Sequence, residues 1–123
     1  MAEDAVDQAL GAAGLKSRPS VTEELTINGP AAAAVSECLH AELPYTRGDV
    51  VRAVRYEMAQ TVEDVLARRT RALFLNARAA VEIAPDVATL MAPELGTDET
   101  WVADQIVKFK DLVEQFLPTD SPE

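Results

Sequence analysis

Apolar positions recur at helical spacing along most of this 123-residue chain, and only one short stretch alternates. Val6, Ala9, Leu10 and Ala13 fall three or four apart among acids, predicting a short helix that Gly14 ends. Arg18-Pro19 marks a turn, and Ser20 to Asn28 then alternates loosely through Val21, Leu25 and Ile27. That stretch predicts a short strand or extended linker, stopped by Asn28-Gly29-Pro30. Ala31 to His40 reads as a helix closed by Leu43-Pro44. Beyond Thr46, the run Asp49 to Met58 sets Val50, Val54 and Met58 on one face, with Arg52 and Arg55 elsewhere. Thr61 with Asp64 three residues on resembles a capping box with the shorter acid. It opens a helix striped by Val62, Val65, Leu66, Leu73, Ala77, Ala80, Val81 and Ala84. Ala84-Pro85 is expected to interrupt it, because the residue before proline is pushed out of the helical region. Pro85 then opens a further helix with Val87, Leu90 and Met91 inward, distorted near Pro93 and stopped by Gly96. The last helix, capped by Asp98, repeats Val102, Ile106, Phe109, Val113 and Phe116 at alternating four and three.

These elements make an all-α fold: a small five- to six-helix domain preceded by a helix and an extended linker segment. Val62, Leu66, Leu73, Ile106, Phe109 and Val113 are its expected core. Composition agrees, with 48% apolar residues but only 5% aromatic ones, a balance that favours helices over β-architectures. No run approaches the ~18 uncharged apolar residues that cross a bilayer. Met1 is followed by Glu3 and Asp4, unlike a secretory leader. The lone Cys38 cannot close an internal disulfide, which makes a reducing cytoplasm the expected compartment. A net charge of -10 argues against nucleic acid as a partner.

Charge is nonetheless uneven. Arg47 to Arg78 holds seven arginines against four acids, a local net of +3, leaving -13 on the remainder. Such a segment either faces an anion or pairs with the domain's own acids. Arg68, Arg69 and Arg71 are its densest cluster. Asp64 and Arg68 make the favourable acid-first i,i+4 pair, while Arg69 falls near the apolar stripe and needs an internal acceptor. On that footing Arg69→Ala would cost ~2–4 kcal/mol and Arg68→Ala under ~1 kcal/mol. Catalytic chemistry is harder to find. On a helix, Cys38 and His40 would point apart and could not act as nucleophile and base. One His, one Cys and scattered carboxylates make no metal cluster, and no glycine-rich phosphate loop follows a strand. The residues themselves assign no catalytic, cofactor-binding or metal-ligating position.

Leu43-Pro44-Tyr45-Thr46, Asp49-Val50, Val54-Arg55-Tyr56-Glu57-Met58-Ala59 and Thr61 through Leu75 resemble the C-terminal domain of the FAD-dependent (aerobic) glycerol-3-phosphate dehydrogenases. Met91-Ala92, Glu94-Leu95-Gly96 and the Trp101-bearing last helix fit the same pattern, with Pro93 and Thr97 as departures that bear on local packing. The resemblance implies a parent that oxidises sn-glycerol 3-phosphate to dihydroxyacetone phosphate and passes electrons from FAD to quinone. It implies residues 1–30 as the connection leaving an upstream flavin domain, 31–118 as the C-terminal helical domain and 119–123 as a disordered tail. The flavin domain of the same polypeptide is the implied partner, in a homodimeric parent peripheral to the inner face of the cell membrane. Arg68, Arg69 and Arg71 become candidates for interdomain contact or ion pairing. Val6, Leu10, Val21, Leu25 and Ile27 are expected to be ordered by a neighbour or by the domain itself. A free-standing helical interaction module is the alternative.

Overall fold

A computed structural model describes residues 1–26 and 36–118. Among these residues every regular element is helical, with no strand. Helix α1 (Ala2–Ala12) is followed by α2 (Arg47–Tyr56), a π-helical segment (Asp64–Arg69), α3 (Ala72–Leu75), α4 (Ala77–Leu95) and α5 (Glu99–Glu114). Helix α4 is central and packs against α2, α3, α5 and the π segment.

Helix α4 does not stop at Ala84. It continues through both Pro85 and Pro93, contrary to the expected interruption. Its buried line, Ala79, Ala80, Ile83, Ala84, Val87, Ala88 and Met91, crosses Pro85 without a change of phase. Pro85 itself sits outside the fully buried line and its carbonyl accepts from the Thr89 hydroxyl at 2.8 Å. Burial on both sides of the ring outweighs the ~3 kcal/mol that an interior proline costs. Gly96, at φ 68°, ends the helix, and its N–H and that of Thr97 both reach the Ala92 carbonyl.

The break comes earlier instead. The π segment ends where the Thr70 N–H bonds the Val65 carbonyl at 2.9 Å, five residues back, and Thr70 adopts an extended backbone. Asn76 is also extended, and its side chain caps α4 by accepting from Ala79 N–H at 3.1 Å. One expected helix is therefore a π segment, the short α3 and the start of α4. The capping box holds: Thr61 N–H donates to Asp64 at 3.0 Å, and Asp64 N–H to the Thr61 hydroxyl at 3.1 Å.

The helix expected over 31–40 is not present at its C-terminal end; residues 31–35 lie outside the described residues. Cys38 forms an isolated antiparallel bridge with Thr46, flanked by Leu39 N–H to the Tyr45 carbonyl and Arg47 N–H to the Glu37 carbonyl. Leu43 is buried at the tip of this loop, and Thr46 starts α2 with a complete capping box to Asp49.

Helix α2 ends before Met58. Ala59 N–H bonds the Ala53 carbonyl, and both alanines are buried, while Met58 is flipped to φ 60° and is 81% exposed. The expected inward place of Met58 is taken by Ala59. Glycine normally fills such a left-handed position, and a side chain there is strained. Met58→Gly should therefore raise stability by about 0.5–1 kcal/mol, read from the urea midpoint; an unchanged or lower midpoint would contradict the cap assignment.

Of the expected core, Val62, Leu66, Leu73, Phe109 and Val113 are buried and Ile106 is half-buried. The buried line of α5 is Gln105, Phe109 and Val113, so Ile106 and Val102 fall on its shoulders. Phe116 is exposed and meets the exposed Phe74 edge to face at 5.8 Å. The alternating stretch from Ser20 gives a turn at 22–24, with Ile27 and Asn28 outside the described residues. Helix α1 buries none of its residues, and Val6, Leu15, Val21 and Leu25 are each more than half exposed. Its contacts are local: Leu15 N–H bonds the Leu10 carbonyl, and the Ser17 hydroxyl bonds Asp7 at 3.1 Å. Of the two expected sources of order, a neighbour or the domain itself, the helical domain does not cover Val6, Val21 or Leu25.

Candidate functional site

The arginine-rich segment folds onto one side of the domain, where the π segment meets the end of α2 and the loop before it. Arg68 is bonded to Asp64 and Glu63, at 2.6 Å each. Arg55 grips Glu94 of α4 with two hydrogen bonds of 2.7 and 2.8 Å. Arg47 and Arg52 stand 3.7 and 3.4 Å from Glu37 and Glu57. Most of the segment's positive charge thus meets nearby acids of the same domain. Among the described residues the acids of α5 pair with none of these arginines; Asp104 pairs with Lys108 at 2.7 Å.

Arg69 departs from expectation. The wider π turn carries it off the apolar stripe, so it is exposed, and its Nε donates to the Glu57 carbonyl at 2.6 Å. No buried acid depends on it, and the expected 2–4 kcal/mol loss does not apply. Arg69→Ala should lower stability by under about 1 kcal/mol, as for other exposed polar contacts, and thermal melting checks this. Arg71 is exposed as well, with its backbone N–H donating to the Tyr45 hydroxyl at 2.9 Å. Tyr45, Asp49, Arg52, Glu57, Arg69 and Thr70 line a cavity of about 140 Å³. Sequence spacing could not foresee this grouping, because Tyr45 and Asp49 come from the bridge loop and the start of α2.

Two carboxyls are tuned by this network. The Arg55 hydrogen bond holds Glu94 below the usual carboxylate range and raises Arg55 in turn. Burial pushes Asp64 upward, but hydrogen bonds from Gln60, Thr61 and Arg68 outweigh it and leave Asp64 lowered. A carboxyl with a lowered folded pKa stabilises fully above its unfolded value, about 4, and loses that contribution as pH falls through the folded one. Melting temperature should therefore drop on acidification from about pH 5 to about pH 3, less steeply in Asp64→Asn than in the parent.

His40 is not helical: its Nε2 lies 3.1 Å from Glu82 and its Nδ1 accepts from Glu42 N–H. Cys38, on the bridge, is exposed. Among the described residues no group of His, Cys, Asp and Glu could hold a metal ion, and no helix is long and apolar enough to cross a membrane. Gly11, Gly14 and Gly96 face open space and cradle nothing. The 360 Å³ groove between α1 and residues 18–22 is near the lower limit for drug-sized ligands.

A profile of the C-terminal domain of alpha-glycerophosphate oxidase matches residues 19–102, more than half of the chain. The chain belongs to that family. The chain is also similar to proteins named glycerol-3-phosphate dehydrogenase, mitochondrial. A Caenorhabditis elegans protein carrying that name as probable is 42% identical over 80 residues, 65% of this chain and 11% of the relative. The Homo sapiens protein is 34% identical over 86 residues, 70% of this chain and 12% of the relative. That of Schizosaccharomyces pombe is 39% identical over 56 residues, 46% of this chain and 9% of the relative. The chain thus spans about a tenth of the length of these relatives. No solved structure matches it. The mitochondrial names overturn the expected cytoplasmic placement and the expected inner face of a cell membrane. One unpaired thiol and an acidic opening do not distinguish one reducing compartment from another.

Proposed function

We propose that this chain is the C-terminal helical domain of a mitochondrial, FAD-dependent enzyme that oxidises sn-glycerol 3-phosphate to dihydroxyacetone phosphate and delivers electrons to quinone. The observation that carries this reading is the family match over residues 19–102, together with dehydrogenase relatives about nine times longer than the matched stretch. Within that parent the domain is structural. It docks on the flavin-bearing part of the same polypeptide and brings no catalytic residue of its own. The bonding of His40 Nε2 to the Glu82 carboxylate and of its Nδ1 to the Glu42 backbone N–H supports this, since it leaves the one imidazole engaged with a surface acid and a main-chain donor rather than with a nucleophile. The parent is homodimeric and peripheral to a membrane.

The test compares the purified 123-residue chain with the full-length polypeptide that contains it. The chain alone should show no flavin absorbance and no dye reduction on adding glycerol 3-phosphate, whereas the full-length protein should show both. Flavin retained by the isolated chain, or a full-length protein that ignores glycerol 3-phosphate, would overturn the reading. The latter result would favour the free-standing helical interaction module.

A further inference from the structure

The cavity between α2 and the π segment is a donor-rich notch, and we propose that it binds a carboxylate group. Of its two acids, Asp49 is engaged by hydrogen bonds and Glu57 only by an ion contact with Arg52. Asp49 Oδ2 accepts from the Thr46 N–H and hydroxyl at 2.9 and 3.0 Å, completing the cap of α2. Glu57 faces Arg52 Nε at 3.4 Å, and its carbonyl accepts from Arg69. What remains are donors. Arg52 Nε is buried against Glu57 without a hydrogen bond and is not open to a ligand, but among the described residues no acceptor bonds the terminal nitrogens of Arg52 or Arg69. The Tyr45 hydroxyl accepts from the Arg71 N–H, which leaves its own proton free to donate. The Thr70 hydroxyl is committed to the Val65 carbonyl at 2.8 Å.

Size and charge narrow the ligand. About 140 Å³ holds roughly four or five waters, which suits a carboxylate on one or two carbons, whether free or at the end of a longer chain. Guanidinium forks match carboxylate oxygens in pairs. The two arginines and two acids of the lining cancel, in a chain of net charge -10, so a monoanion enters against less repulsion than a phosphate dianion. The ligand is either a free small acid or the side-chain carboxylate of a polypeptide.

The experiment titrates acetate into the 123-residue chain at fixed ionic strength and follows the Nε–H resonances of Arg52 and Arg69. This readout owes nothing to flavin or substrate, so its failure leaves the proposed function standing. Both resonances should move saturably, with inorganic phosphate binding more weakly than acetate. Arg69→Gln should weaken acetate about tenfold or more, and Arg78→Gln, an exposed change on α4, should leave it unaltered. A blocked tripeptide with a central glutamate separates the sources: saturation by it as well as by acetate assigns a side-chain carboxylate, and saturation by acetate alone assigns a free acid. Shifts that grow linearly and equally with acetate and chloride would overturn the proposal. So would tighter binding of phosphate, or acetate binding unaffected by Arg69→Gln.

Discussion

Phe109→Ala should destabilise the domain by about 3–5 kcal/mol, the largest loss expected of any single change here. The ring is 1% exposed and is the largest fully buried side chain. It lies on the face by which α5 packs on α4, one helical turn from the buried Val113. Removing it deletes apolar contacts and leaves a void that helices held by Gly96 and Asp98 cannot readily close. Against a typical total of about 5–15 kcal/mol, that is a large fraction, worth roughly 10–20 °C in melting temperature. Urea unfolding gives the number directly. The family match ends at residue 102, so the same measurement asks whether α5 belongs to one cooperative unit with α4. A variant as stable as the parent would show that it does not.

Gln105→Leu should cost about 1–3 kcal/mol although it replaces a polar residue by an apolar one of similar size. Gln105 is 7% exposed, and its side-chain oxygen accepts from the Val62 N–H at 3.2 Å. Val62 is fully buried and sits in the first turn after the Thr61 cap, where a helix has no carbonyl of its own for that N–H. Leucine would fill the space and leave the donor buried without a partner. Amide exchange at Val62 should accelerate alongside the loss of stability. Unchanged stability with unchanged exchange would mean that this hydrogen bond contributes nothing.

Local chemistry explains what could be read in advance. The Asp98 cap, the Gly96 stop, the Thr61–Asp64 box and the Asp64–Arg68 pair each depend on residues within five positions, and all are present. The burial of Val62, Leu66, Leu73, Phe109 and Val113 follows from period and apolar character. The candidate site was legible only as a cluster of arginines. Its lining joins Tyr45 of the bridge loop, Asp49 and Arg52 of α2 and Arg69 of the π segment, and spacing along the chain does not report such proximity.

The sequence by itself determined an all-α domain, most of its core and its membership of a dehydrogenase-related family, because helix period, caps and motif residues are local properties. Only the tertiary structure decided where the helices break. Pro85 lies inside α4 because the buried faces on either side of it contribute more than the lost hydrogen bond costs. Thr70 and Asn76 end helices that periodicity would continue, because their side chains bond the Val65 carbonyl and the Ala79 N–H. The π turn before Thr70 moves Arg69 from the apolar stripe to the surface, where it bonds a carbonyl twelve residues away. Such choices depend on the energy of packing whole elements together, which no window of the sequence contains.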